Sequence, residues 1–158
     1  ERSENIMIVD LVRNDLSRIA APGTVNVDEL CGLYAFPKVF QLISTVSCDL
    51  KNGNSTADVL KATFPPGSMT GAPKIRAMEI LHDLEATPRD VYCGAIGWCD
   101  PEGPMRFSVA IRTISLFKEG RAVFNVGGGI VFDSKAEAEY EECLLKARFA
   151  VGDEWISR

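Results

Sequence analysis

The 158-residue chain carries 22 acidic and 17 basic side chains, a net charge of −5, and 46% apolar residues. These are the proportions of a globular chain with its own core, which sets aside disorder and collagen-like repeats, and the length fits one domain. The acidic balance argues against a nucleic-acid partner, and no run approaches the ~18 apolar residues of a membrane span.

In chain order, Ile8, Leu11, Val12 and Leu16 recur at helical spacing and predict a helix over residues 4–18, closed by Pro22 and Gly23. A short strand follows at 24–30. A second, rich in β-branched residues, runs over 39–50 and ends in the turn Lys51-Asn52-Gly53-Asn54. Residues 56–63 read as a short helix capped by Ser55 or Thr56. The segment 64–73, with three prolines and two glycines, is expected to be irregular. Pro73 then opens a helix that should turn Ile75, Met78, Leu81 and Leu84 inward. Residues 92–99, 105–116 and 121–126 predict three strands of an antiparallel meander, broken after 126 by Gly127-Gly128-Gly129. The last helix is expected to carry a capping box of Ser134 and Glu137, with Ala136, Tyr140, Cys143, Leu144, Ala147 and Val151 as its apolar stripe. The predicted fold class is α+β with largely antiparallel sheets.

Five cysteines, an odd number without a CxxC pair, predict reduced thiols and a cytoplasmic location. The chain enters a helical pattern at Glu1 without an initiating Met, so it is read as part of a longer protein. His82 is the single histidine and is expected at the surface; zinc sites and His-based triads are set aside.

Four features could carry chemistry. Glu139, Glu142 and Lys146 share a face of the last helix, beside the apolar stripe. Glu142 and Lys146 could form an ordinary surface pair, worth about 0.3–0.5 kcal/mol, or the carboxylates could point into a cleft. Glu4 with Glu142 could hold a hard cation such as Mg²⁺, which needs only one or two carboxylates, although spacing does not show that they meet. The glycine-bearing segments 67–74 and 127–129 could be plain turns, or could let backbone N–H groups approach an anion. Neither matches a P-loop or a dinucleotide fingerprint. Lys74, Arg76 and Arg112 are candidate carboxylate partners. Arg112 stands out because it sits within the apolar run Val109-Ala110-Ile111-Arg112-Thr113-Ile114, where it either snorkels from a sheet edge or binds an anion.

Five runs together carry a resemblance: residues 3–15 (SENIMIVDLVRND), 67–74 (GSMTGAPK), 110–113 (AIRT), 127–131 (GGGIV) and 136–142 (AEAEYEE). In this order the chain resembles the chorismate-utilising enzymes along nearly its whole length. Within them it looks most like the aminodeoxychorismate synthase component I (para-aminobenzoate synthase) group of folate biosynthesis. The resemblance implies that residues 1–158 are the carboxyl-terminal part of the chorismate-binding, anthranilate synthase component I-like fold, whose amino-terminal half lies outside this chain. It implies amination of chorismate at C4, with ammonia from a glutamine amidotransferase subunit or domain. The alternatives are an anthranilate synthase component I of tryptophan biosynthesis, or a catalytically incomplete fragment that binds chorismate or Mg²⁺. It further implies Mg²⁺ on Glu4 and Glu142 with Glu139 beside them, and substrate carboxylates held by Arg112 and Lys146. The walls that receive those carboxylates would be Thr70, Gly71, Gly128 and Gly129.

Two departures from the family pattern are Gln41, where a His is usual, and Trp98, where a Tyr is usual. The family motif that carries Lys in aminodeoxychorismate synthases and Thr in anthranilate synthases lies upstream of this region. The 158 residues alone are expected to be inactive, with exposed strand edges prone to association.

Overall fold

The computed structural model describes residues 2–37 and 39–151, apart from the side chains of Phe149 and Val151. The chain divides into two compact units, residues 1–78 and 79–158.

The first unit opens with helix α1 (Arg2–Ser17). Its apolar spacing buries Val9, and Ile8, Leu11, Val12 and Leu16 are half-buried beside it. Strands β1 (Asn26–Ala35) and β2 (Phe40–Ser47) pair antiparallel, from Asn26 opposite Ser47 to Ala35 opposite Phe40. β1 therefore runs five residues beyond the end expected at Leu30. The register slips between Glu29 and Gly32, where Cys31 takes a left-handed φ of 54° and its N–H donates to Ser44 Oγ at 2.9 Å instead of to a strand carbonyl. Asn5 of α1 is held at the same place: its amide donates to Leu42 O at 3.2 Å and its carbonyl accepts from Ser44 Oγ at 2.5 Å.

Helix α2 (Thr56–Thr63) occupies the predicted residues, and its cap is Ser55. Ser55 Oγ accepts from the Asp58 N–H while the Asp58 carboxylate accepts from the Ser55 N–H, a reciprocal capping box. The segment expected to be irregular contains a one-turn helix, α3 (Gly67–Thr70), packed on α1. The contact needs glycine: a methyl group on Gly67 would lie 2.7 Å from Leu11 Cδ1 and 2.9 Å from Leu11 Cβ. Asp15 of α1, 5% exposed, accepts a 2.6 Å salt bridge from Lys74, with Arg18 at 3.3 Å on its other oxygen.

Helix α4 (Lys74–Leu84) contains the boundary between the units and buries no residue fully. Ile75 (76% exposed), Met78 and Leu84 (75%) are exposed, against the expectation that they turn inward; only Leu81 of that stripe is half-buried. Periodicity marks a face but does not supply what covers it. His82 is exposed, as expected.

In the second unit, β3 (Ala95–Cys99) pairs antiparallel with β4 (Met105–Val109), and β5 (Ile114–Leu116) with β6 (Ala122–Phe124). These are two separate two-stranded sheets and not one meander. The expected strand over 105–116 is interrupted at 110–113, where Arg112 takes a left-handed φ of 49°. Tyr92 and Cys93 form a turn ahead of β3, and the buried Ala110 exchanges backbone hydrogen bonds with Cys93 and Gly94.

Helix α5 (Ala136–Val151) closes this unit. Cys143, Leu144 and Ala147 of its stripe are half-buried, whereas Ala136 and Tyr140 are exposed. Ser134 stands two residues before the helix and makes a different bond from the expected capping box, described below. The α+β class and the antiparallel pairing are thus present in the structure. No helix among the described residues is long and apolar enough to cross a membrane.

Candidate active site

The three glycines at 127–129 end the β-rich part of the second unit and lie against α5. Lys146 Nζ donates to Gly127 O at 2.9 Å and to Glu142 Oε1 at 2.5 Å, a one-turn ion pair along the helix. A methyl group on Gly128 would lie 3.1 Å from Glu139 Oε2 and 3.7 Å from Glu142 Oε1. Two carboxylates therefore reach one side of a residue that has no side chain of its own. The shared helix face expected from the spacing of Glu139, Glu142 and Lys146 is real, and the glycine turn is what it faces.

Glu139 is half-buried, and its other oxygen is taken: Oε1 accepts from Ser134 Oγ at 2.6 Å. Glu142 and Lys146 stay half exposed, with side-chain exposures of 49% and 36%. Tyr92 was not singled out by its sequence, yet its hydroxyl lies 3.0 Å from where a methyl on Gly127 would be. Burial pushes the Tyr92 hydroxyl above its ordinary value, and the neighbouring Cys93 thiol adds to this. No local pattern marks such a residue, because the approach is made across the fold.

Arg112 lies in the same unit, exposed on the tight turn between β4 and β5. The turn is held by Ile111 N–H on Val109 O at 2.9 Å and by Thr113 Oγ1 on Ile111 O at 2.9 Å. A left-handed arginine is an uncommon backbone state, of the kind that collects at functional sites. Arg112 is thus at a bend and not inside a strand. Among the described residues it is joined to neither Glu139 nor Glu142 by a hydrogen bond or ion pair. Gly129 is exposed at the end of the glycine turn.

The remaining predicted residues belong to the first unit. Glu4 is exposed in the first turn of α1. Thr70, 8% exposed, ends α3, and its hydroxyl lies 3.2 Å from Gly71 O. Gly71 holds a φ of 91°, which glycine alone adopts without strain. Lys74, a candidate carboxylate partner, is committed to Asp15. Gln41 and Trp98 are both exposed on their strands, Gln41 opposite Tyr34 and Trp98 opposite Arg106.

Among the described residues no three His, Cys, Asp or Glu side chains gather as a metal cluster. The pair that shares a face, Glu139 and Glu142, offers hard oxygen donors in the number Mg²⁺ draws from a protein when waters and substrate oxygens fill its other positions. The donor set fits that ion.

A family model described as chorismate binding enzyme matches residues 1–152. The chain is 49% identical over 146 residues to aminodeoxychorismate synthase component 1 of Salmonella typhimurium, covering 92% of this chain and 32% of that protein. It is 46% identical over 147 residues to anthranilate synthase component 1 of Bacillus subtilis, covering 93% of this chain and 28% of that protein. The crystal structure of anthranilate synthase component I from Streptococcus pneumoniae superposes with a TM-score of 0.82 at 40% identity, covering 92% of this chain and 33% of that one. The chain thus spans about a third of the length of the curated relatives it matches.

Proposed function

Because the chain belongs to the chorismate binding enzyme family, we propose that it is the carboxyl-terminal part of an enzyme that replaces the C4 hydroxyl of chorismate with ammonia. The product is 4-amino-4-deoxychorismate, on the route to para-aminobenzoate and folate. The observation that carries this choice of reaction is the 49% identity to an aminodeoxychorismate synthase component 1, above the 46% to an anthranilate synthase component 1.

Chorismate is a dicarboxylate, and the second unit offers features suited to one. Gly128 and Gly129 carry no Cβ, so a carboxylate can come close to their backbone N–H groups. Lys146 is fixed by Gly127 O and Glu142 at one end of the glycine turn, and supplies a positive charge there. Arg112 presents a planar fork suited to a second carboxylate. Thr70 and Gly71 form a backbone-rich wall in the first unit. Glu142, with Glu139 alongside, would hold Mg²⁺, which when bound supplies Lewis-acid help to the departing C4 oxygen and a template for a substrate carboxylate. A glutamine amidotransferase subunit or domain provides the ammonia. The free state of all five cysteines supports a cytoplasmic setting.

A second reading, anthranilate synthesis, is favoured by the superposition on the Streptococcus pneumoniae enzyme. The test incubates the full encoded protein with chorismate, Mg²⁺ and ammonium and weighs the product. A nitrogen-containing product that keeps the enolpyruvyl group is expected. Anthranilate moves the protein to the second reading, and a nitrogen-free isomer overturns both. Residues 1–158 alone are expected to give no turnover under the same conditions.

A further inference from the structure

The segment that supplies Gly128 also supplies Ser134, and the two bracket one carboxylate. Ser134 closes a turn with Val131 through both of that residue's backbone groups. The Ser134 N–H donates to Val131 O at 3.0 Å, and the Val131 N–H donates to Ser134 Oγ at 3.0 Å. With one hydrogen bond accepted from the backbone, the hydroxyl has its single proton left to give. It gives that proton to Glu139 Oε1 at 2.6 Å, a charge-assisted bond within the O–H···O⁻ range. Glu139 Oε2 is thereby turned toward Gly128, at 3.1 Å from the position of a methyl there.

The geometry points to Ser134 as a positioning residue for Glu139, fixing which carboxylate oxygen faces the glycine turn. This rests on the reading of the Glu139–Glu142 face as the chorismate and cation site. Without the hydroxyl, the carboxylate can rotate about its last side-chain bond and the turn loses one of its two ties. An ordinary cap would act differently, because its effect would fall on the stability of α5 and not on what Glu139 binds. Supporting groups of this kind typically change metal affinity or activity 10–100-fold when removed.

The experiment uses the full encoded protein with Mn²⁺ as a paramagnetic stand-in for Mg²⁺, titrated in chorismate without an ammonia source, together with steady-state kinetics. Ser134→Ala is expected to weaken Mn²⁺ binding about tenfold and lower kcat by a similar factor. KM for chorismate should change less than about twofold, since the carboxylate-holding cations remain. Ser134→Thr, which keeps a hydroxyl, should recover most of both losses. In a Glu139→Ala background, Ser134→Ala should leave Mn²⁺ binding where Glu139→Ala alone puts it. Wild-type Mn²⁺ affinity and kcat in Ser134→Ala would overturn the inference. So would a fall in melting temperature without a change in affinity, or a further loss of affinity in the Glu139→Ala background. If the parent protein binds no Mn²⁺ in chorismate, the reading of the site itself falls, and the inference falls with it.

Discussion

Lys74 and Lys146 each close on a carboxylate, at 2.6 Å from Asp15 in the first unit and 2.5 Å from Glu142 in the second. Their surroundings separate them. Asp15 and Lys74 keep side-chain exposures of 6% and 18%, and Asp15 is further tied to Arg18. Glu142 and Lys146 keep 49% and 36%, one turn apart on a helix, and face a run of glycines. The first pair has lost its water and is held by the fold, so its partners depend on each other. The second remains hydrated, gives the fold little, and is free to exchange its partner for a ligand. Similar distances therefore say little about role; desolvation and what lies across from the pair say more.

That contrast can be broken experimentally. Asp15→Asn leaves the Lys74 ammonium poorly solvated and without its counter-charge, and should lower unfolding stability by about 3–5 kcal/mol, read from urea denaturation. A loss below about 1 kcal/mol would place Asp15–Lys74 in the same class as the exposed pair. In the full encoded protein, Glu142→Gln should change stability by no more than about 1 kcal/mol, yet lower the proposed turnover of chorismate by at least about a hundredfold. Full activity in Glu142→Gln would remove the reason for treating the two pairs as different in kind.

How much of this was legible in the sequence depended on how local the cause was. Helix α2 was readable residue for residue because the Ser55–Asp58 box and the preceding Lys51-Asn52-Gly53-Asn54 turn act over a few positions. The shared face of Glu139, Glu142 and Lys146 followed from helical spacing alone. Other features are imposed from elsewhere in the fold. The apolar run through Arg112 reads as one strand, but its backbone bends where Ala110 is locked to Cys93 and Gly94. One turn of helix at α3 is too short for periodicity to detect, and the close approach of Gly67 to Leu11 that accompanies it is made across the fold. Ser134 carries the signature of a cap; its actual partner, five residues on, is visible only once the 131–134 turn is formed.

Gly67 and Gly128 are both crowded, but by neighbours of opposite kinds. Gly67 meets Leu11 down to its Cβ, which cannot swing aside, whereas Gly128 meets only the ends of two flexible carboxylate chains. In a saturation library, missense codons at Gly67 should vanish when cells are sorted for folded-protein abundance. Those at Gly128 should pass that sort and drop out only under growth selection for the proposed product. A genotype table would then separate a position guarded by the fold from one guarded by the reaction.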